Sequence, residues 1–209
     1  MTPGQPTGAG ATLLKAALGY ASRGIPVLAL HHPVATGERG PDVEDVGACS
    51  CGRLDCLQAS EHPLSPGGVH DASTDPAEIR AWWQRDPLAN VGLATGVRFD
   101  AADADADTGR IALKRIEDHA APAGPVAQTG SGRWQFFVAP TGMPDSIQWG
   151  MGARRALRWH GRGGYVVAAP SRHVTGTVTR WLHPLTRVLP ERQQLLHELL
   201  VARDQPPPG

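Results

Sequence analysis

Residues 73–96 read STDPAEIRAWWQRDPLANVGLATG. Asp75 suits a helix N-cap, Pro76 the first helical position, and Glu78 completes a capping box. Ile79, Trp82 and Trp83 share one helical face, and Asp86-Pro87 stops the helix. NVGLATG, residues 90–96, then supplies a short strand and a turn. A marked helix running straight into a strand is the unit from which the rest of the chain is read.

Upstream, residues 1–10 are rich in Gly, Pro and Thr and are expected to be disordered. ATLLKAALGYASRG, residues 11–24, predicts a helix whose Leu13, Leu14, Ala17, Leu18 and Ala21 share one face. IPVLAL, residues 25–30, reads as a buried strand. Residues 33–72 are long and irregular, and a loop of that length is functional or held by something. Downstream, VRFDAADAD reads as a strand and TGRIALKRIEDHA as a helix. Strand-like runs follow at GPVAQTG, RWQFFVAP, RRALRWHG, GYVVAAPS and TVTRWL, and PERQQLLHELLVARD predicts a last helix. Helices first and then mostly strands make an α+β pattern. The expected organisation is one domain over residues 11–188, a C-terminal helix over 189–204 and a loose tail over 205–209.

The chain has 209 residues, with 20 basic and 20 acidic side chains. A balanced charge removes the global basic bias of many nucleic-acid binders, so any such contact must come from a local patch. No apolar run approaches the ~20 residues of a membrane helix, and the N-terminus lacks the basic flank and apolar core of a signal peptide. The three cysteines fall between Cys49 and Cys56. That clustering favours a metal site or reduced thiols over a disulfide framework and suggests a cytoplasmic protein.

FDAADADAD, residues 99–107, holds four of the acidic residues. On a strand, Asp103 and Asp105 project to one face and Asp100 to the other, with Asp107 next if the strand persists. Two carboxylates on one face suit Mg²⁺ or Mn²⁺, and two-metal nucleotidyl transfer needs such a pair plus a further carboxylate. The alternative is a solvated acidic turn or a helix cap. TGSGRW, residues 129–134, is either a hairpin turn or a phosphate cradle, in which Ser131, Gly132 and Arg133 would face the anion. Cys49, Cys51, Cys56 and His62 form C-x-C-x4-C-x5-H, a donor set for a structural zinc; the alternative is unligated thiols. His173 follows a Gly-rich turn and an apolar strand, and is either a phosphate or template contact or a turn histidine.

Six stretches taken in order, AALGYASRGIPVLAL, CSCGRLDC with HPL, DASTDPAEIRAWWQRDPLANVGLATG, FDAADAD, TGSGRWQFF and GGYVVAAPSRHVTG, resemble the N-terminal domain of bifunctional DNA primase/polymerases, within the archaeo-eukaryotic primase superfamily. The resemblance runs from about Leu13 to Leu182. It implies a primase-polymerase core with an RRM-like mixed or antiparallel sheet flanked by helices. It also implies two divalent metals, nucleoside triphosphates and a DNA primer or template as ligands, and a role in DNA replication. A helicase or other replication partner would act in trans. The family's Asp-x-Asp/Glu pair falls on Asp103 and Asp105. Its phosphate-contacting histidine falls on Gln135, or on Trp134 with a one-residue slip, and its third acidic residue falls on Arg158. Two of three motifs thus lack their chemical group. Arg158 is expected to pair with the aspartates where a metal would sit. The expected function is divalent-metal-dependent nucleotidyl transfer weakened by these losses; the alternative is a catalytically degenerate module that binds nucleotide, nucleic acid or protein.

Overall fold

The computed structural model describes residues 8–35, 47–119, 121–145, 147–149 and 157–204. The expected disordered ends, residues 1–7 and 205–209, lie outside the described residues. In chain order the elements are α1 (Ala9–Ala21), β1 (Val27–Leu30), β2 (Pro33–Val34) and β3 (Ala48–Cys49). A 3-10 turn at Gly68–Asp71, α2 (Pro76–Arg85), β4 (Asn90–Ala94) and β5 (Asp100–Ala104) come next. Then follow α3 (Ala106–Asp118), β6 (Val126–Gln128), β7 (Trp134–Val138) and β8 (Ile147–Trp149). The last elements are β9 (Leu157–His160), β10 (Tyr165–Ala168), β11 (Arg180–His183) and α4 (Arg192–Asp204). The fold is α+β. Helix α1 starts at Ala9, two residues inside the stretch expected to be disordered, and α4 starts at Arg192 rather than Pro190. Strand β8 has no counterpart in the sequence reading.

The chain divides into two compact units, Met1–Ala94 with Tyr165–Arg180, and Thr95–Gly164 with Trp181–Gly209. In the first, β1 and β10 pair antiparallel with the central β4. The register puts Val27, Val91, Leu93 and Val166 on one face, and Leu28, Leu30 and Val167 on the other. Gly92 is needed here: a Cβ would come within 2.8 Å of the Leu28 side chain that crosses it. Helix α2 starts where predicted, with Asp75 Oδ1 accepting from the Ala77 N–H at 2.8 Å and Pro76 in the first turn, but the expected capping box does not form, because the Asp75 N–H donates to the Ser73 hydroxyl and not to Glu78. Trp83 is fully buried, and its indole N–H donates to the Ala89 carbonyl at 3.0 Å, so its one polar atom is satisfied.

The second unit is built on a six-stranded sheet in the order β11-β6-β7-β5-β9-β8. One face packs Ala102, Phe136, Val138, Leu157 and Trp159 against Ala112 and Ile116 of α3 and Leu195, Leu199 and Ala202 of α4. Alanine is a weak strand former, yet β5 is central. The register explains it: Ala102 lies between Phe136 and Trp159, and Ala104 lies opposite Trp134. The bulky residues come from the neighbouring strands and fill the volume that alanine leaves. Helix α3 comes close enough that a Cβ at Gly109 would overlap the Trp134 ring.

Candidate functional site

The opposite face of the six-stranded sheet carries Asp103. In the ladder Asp103 lies opposite Gln135 of β7 and Arg158 of β9, while Ala101 lies opposite His160. Strict alternation therefore gathers Asp103, Gln135, Arg158 and His160 on one face. Gln135 shares the Asp103 face, whereas Trp134 lies against α3.

Asp103 is buried, with 6% exposure. Its Oδ1 accepts from Arg133 Nε at 2.7 Å, and a terminal nitrogen of Arg133 reaches the Asp103 carbonyl at 3.3 Å. Its Oδ2 lies 3.6 Å from His160 Nε2, and the other ring nitrogen of His160 lies 3.4 Å from Asp145 Oδ1. Burial pulls the His160 pKa down, but the two flanking carboxylates outweigh it and the net direction is up. Two carboxylates thus face one guanidinium and one readily protonated imidazole. Beside them the Oε1 of Gln135 is buried without a hydrogen-bond partner among the described residues.

Two sequence expectations are corrected here. Asp105 does not project with Asp103, because β5 ends at Ala104 and Asp105 caps α3. Its Oδ1 accepts from the N–H groups of Asp107 and Thr108, and its Oδ2 accepts from the Thr108 hydroxyl at 2.8 Å. A carboxylate beside the first helical N–H groups satisfies orphan donors and complements the helix dipole, so the local chemistry ends the strand. Second, Arg158 does not pair with the aspartates. It is exposed and makes no ion pair among the described residues, and the guanidinium on Asp103 is that of Arg133. Asp107 lies on α3 in an exposed pair with Arg110. Asp100 faces the other way, as alternation predicts, and binds the N–H and hydroxyl of Thr141.

The Thr129–Arg133 segment is a tight hairpin between β6 and β7. Gly132 takes φ +85°, a conformation that glycine adopts without strain. The N–H groups of Gly132 and Arg133 are both bonded inside the turn, and Ser131 at its exposed tip bonds Thr129 Oγ1 at 2.9 Å. His173 lies in the first unit, where its Nδ1 meets Thr175 Oγ1 at 3.0 Å and burial lowers its pKa. His160 and Asp145 were missed by the sequence reading. The available signal was alternation, since Arg158 and His160 stand two apart on one strand. Three exposed arginines, Arg98, Arg158 and Arg162, make no ion pair among the described residues, and the turn before Arg98 packs on the Arg162 backbone at Gly96.

The first unit holds a second cluster. One donor atom from each of Cys49, Cys51, Cys56 and His62 lies within 4.8 Å of all the others, a Cys3His group able to hold a metal ion. A tetrahedral site with Zn–S near 2.3 Å needs sulfurs roughly 3.8 Å apart, so only a small contraction is required. The strands brace the loop. The His31 N–H donates to the His62 carbonyl, the Leu64 N–H to the Ala29 carbonyl, and the Asn90 amide to the Ser60 carbonyl. The Ser60 N–H points at Cys49 Sγ at 3.3 Å, and the His31 ring lies tilted against His62 with centroids 4.2 Å apart. Burial raises the Cys56 thiol to about 11, while the Arg53 backbone N–H lowers Cys51.

No helix among the described residues is long and apolar enough to cross a membrane. No curated protein matches the chain. The family model described as bifunctional DNA primase/polymerase, N-terminal, matches residues 17–193, which includes both the Cys3His cluster and the Asp103 face. The chain belongs to the bifunctional DNA primase/polymerase N-terminal family.

Proposed function

We propose that this family member binds single-stranded DNA through the Asp103 face of the six-stranded sheet and does not carry out metal-dependent nucleotidyl transfer. The observation that carries this is the state of Asp103, whose carboxylate oxygens already face Arg133 at 2.7 Å and His160 at 3.6 Å. Two-metal catalysis needs carboxylates turned toward the cations. Asp105 is engaged in capping α3, Gln135 is neutral, and Arg158 puts a cation where the resemblance places an acid. This donor set does not fit a pair of Mg²⁺ or Mn²⁺ ions. The exposed cations around it fit a polyanion, with Arg98, Arg158 and Arg162 meeting phosphates and Ser131 at the hairpin tip supplying a neutral hydrogen-bonding group. The Cys3His cluster holds a structural zinc that keeps the 47–64 loop on its strands.

Nucleotidyl transfer through Asp103 and Asp105 is the competing reading, and one pair of assays separates the two. Fluorescence anisotropy with a labelled oligothymidylate, without added divalent cation, should show salt-sensitive binding that Arg158→Glu weakens by about tenfold. Primer extension with Mn²⁺ should yield no product. Extension that disappears in Asp103→Ala would overturn the proposal.

A further inference from the structure

We propose that a cavity in the first unit, beside α2, is a binding site for a single nucleobase, with guanine preferred. It encloses about 290 Å³ and is lined by Leu28, Leu64, Trp82, Asp71, Arg85 and Asp86 among others. That is at the small end of ligand pockets, which begin near ~300 Å³. It suits one flat ring with its sugar.

The walls specify the shape. Leu28 stands on β1, Leu64 follows the Cys3His loop, and Trp82 adds an aromatic ring to the lining, a group against which bases stack. The charged part of the lining, Asp71, Arg85 and Asp86, specifies the edge chemistry, because it offers acceptors and a donor together. Asp71 takes one N–H, from Gly67 at 3.1 Å, and has no cationic partner among the described residues. Asp86 engages His32 and the Leu88 N–H through Oδ1, and its Oδ2 has no hydrogen bond among the described residues. Arg85 donates Nε to the Ala81 carbonyl, and its terminal nitrogens make no hydrogen bond among the described residues. A ligand that meets these groups must be flat, with donors on one edge and acceptors on another. Guanine places a ring N–H and an amino group side by side, for a carboxylate, and carries O6 and N7, for an arginine. Adenine lacks the adjacent ring N–H, and pyrimidines fill less of the cavity.

The inference extends the single-stranded DNA reading, and a neutral nucleoside tests it apart from the phosphate contacts. The zinc-loaded full chain is titrated with guanosine, adenosine and uridine, read by calorimetry. Guanosine should bind about tenfold tighter than adenosine, because an unmatched carboxylate penalises the wrong base. Trp82→Ala should weaken guanosine about tenfold or more. Asp71→Asn, which keeps size and fold, should erase the preference for guanosine, while Arg158→Glu should leave guanosine binding unchanged. Saturable binding of none of the nucleosides would overturn the assignment, as would equal affinity for all three or indifference to Asp71→Asn in a protein with an unchanged melting profile. If Arg158→Glu alone removes guanosine binding, the site belongs to the sheet face and not to this cavity.

Discussion

Two clusters in this chain look like metal sites on paper, and they differ in one respect. At Cys49, Cys51, Cys56 and His62 the donor atoms converge within 4.8 Å with no side-chain cation bonded among them. At Asp103 the donors are already matched, by Arg133 on one oxygen and His160 on the other. A metal site is therefore identified less by its ligands than by the count of cations already beside them. The first cluster is a donor set that could hold an ion once its thiols are deprotonated, whereas the second has its own positive charges.

Breaking the first cluster should have the largest effect. Cys49→Ser should abolish binding of one equivalent of zinc and unfold the 47–64 loop, because structural zinc contributes about 10–16 kcal/mol of apparent folding free energy in small domains. Release to a chromophoric chelator and a thermal melt measure this, and a variant that melts like the wild type would show the cluster to be empty of consequence. Acid should act the same way, since protonated thiols and imidazole release the ion.

At the second cluster, Arg133→Met leaves the buried Asp103 carboxylate facing His160 alone. A loss of about 3 kcal/mol in urea denaturation is expected, and Arg133→Met/Asp103→Leu should recover most of it. Failure of the double variant to recover would mean that packing, not charge, holds this face together.

The pH response is smaller and opposite in sign to the metal loop's. The folded pKa of His160 is raised by Asp103 and Asp145 against burial. Its stabilisation is therefore complete below the unfolded value near 6.5 and is lost as pH rises through the higher folded value. His160→Gln should remove that alkaline decline, and an unchanged profile would exclude the imidazolium.

The smallest effect separates capping from chemistry. Asp105→Ala should cost about 1 kcal/mol and Asp105→Asn nearly nothing. Loss of nucleic-acid binding in Asp105→Asn would return this residue to the site.

Much of this was legible in the sequence, because local rules govern it. The α2 start follows from Asp75 and Pro76, the Cys3His set from ligand chemistry within 14 residues, and Asp100's turn away from Asp103 from strand alternation. What was not legible depended on where β5 ends and on which side chains cross between strands. Alternation predicts Asp105 beside Asp103 only while the strand lasts, and Asp105 itself starts the helix. Arg158 lies opposite Asp103 in the ladder, yet it is Arg133 that reaches the carboxylate from the hairpin. Such pairing depends on side-chain reach and burial, which strand register does not specify.

We hold that Asp103 is engaged by Arg133 and His160 in place of a divalent ion. Calorimetric titration of Mn²⁺ with a nucleoside triphosphate into the zinc-loaded chain tests it most directly. No Mn²⁺-dependent binding is expected in the wild type or in Asp103→Ala. One Mn²⁺ bound by the wild type and lost in Asp103→Ala would contradict it.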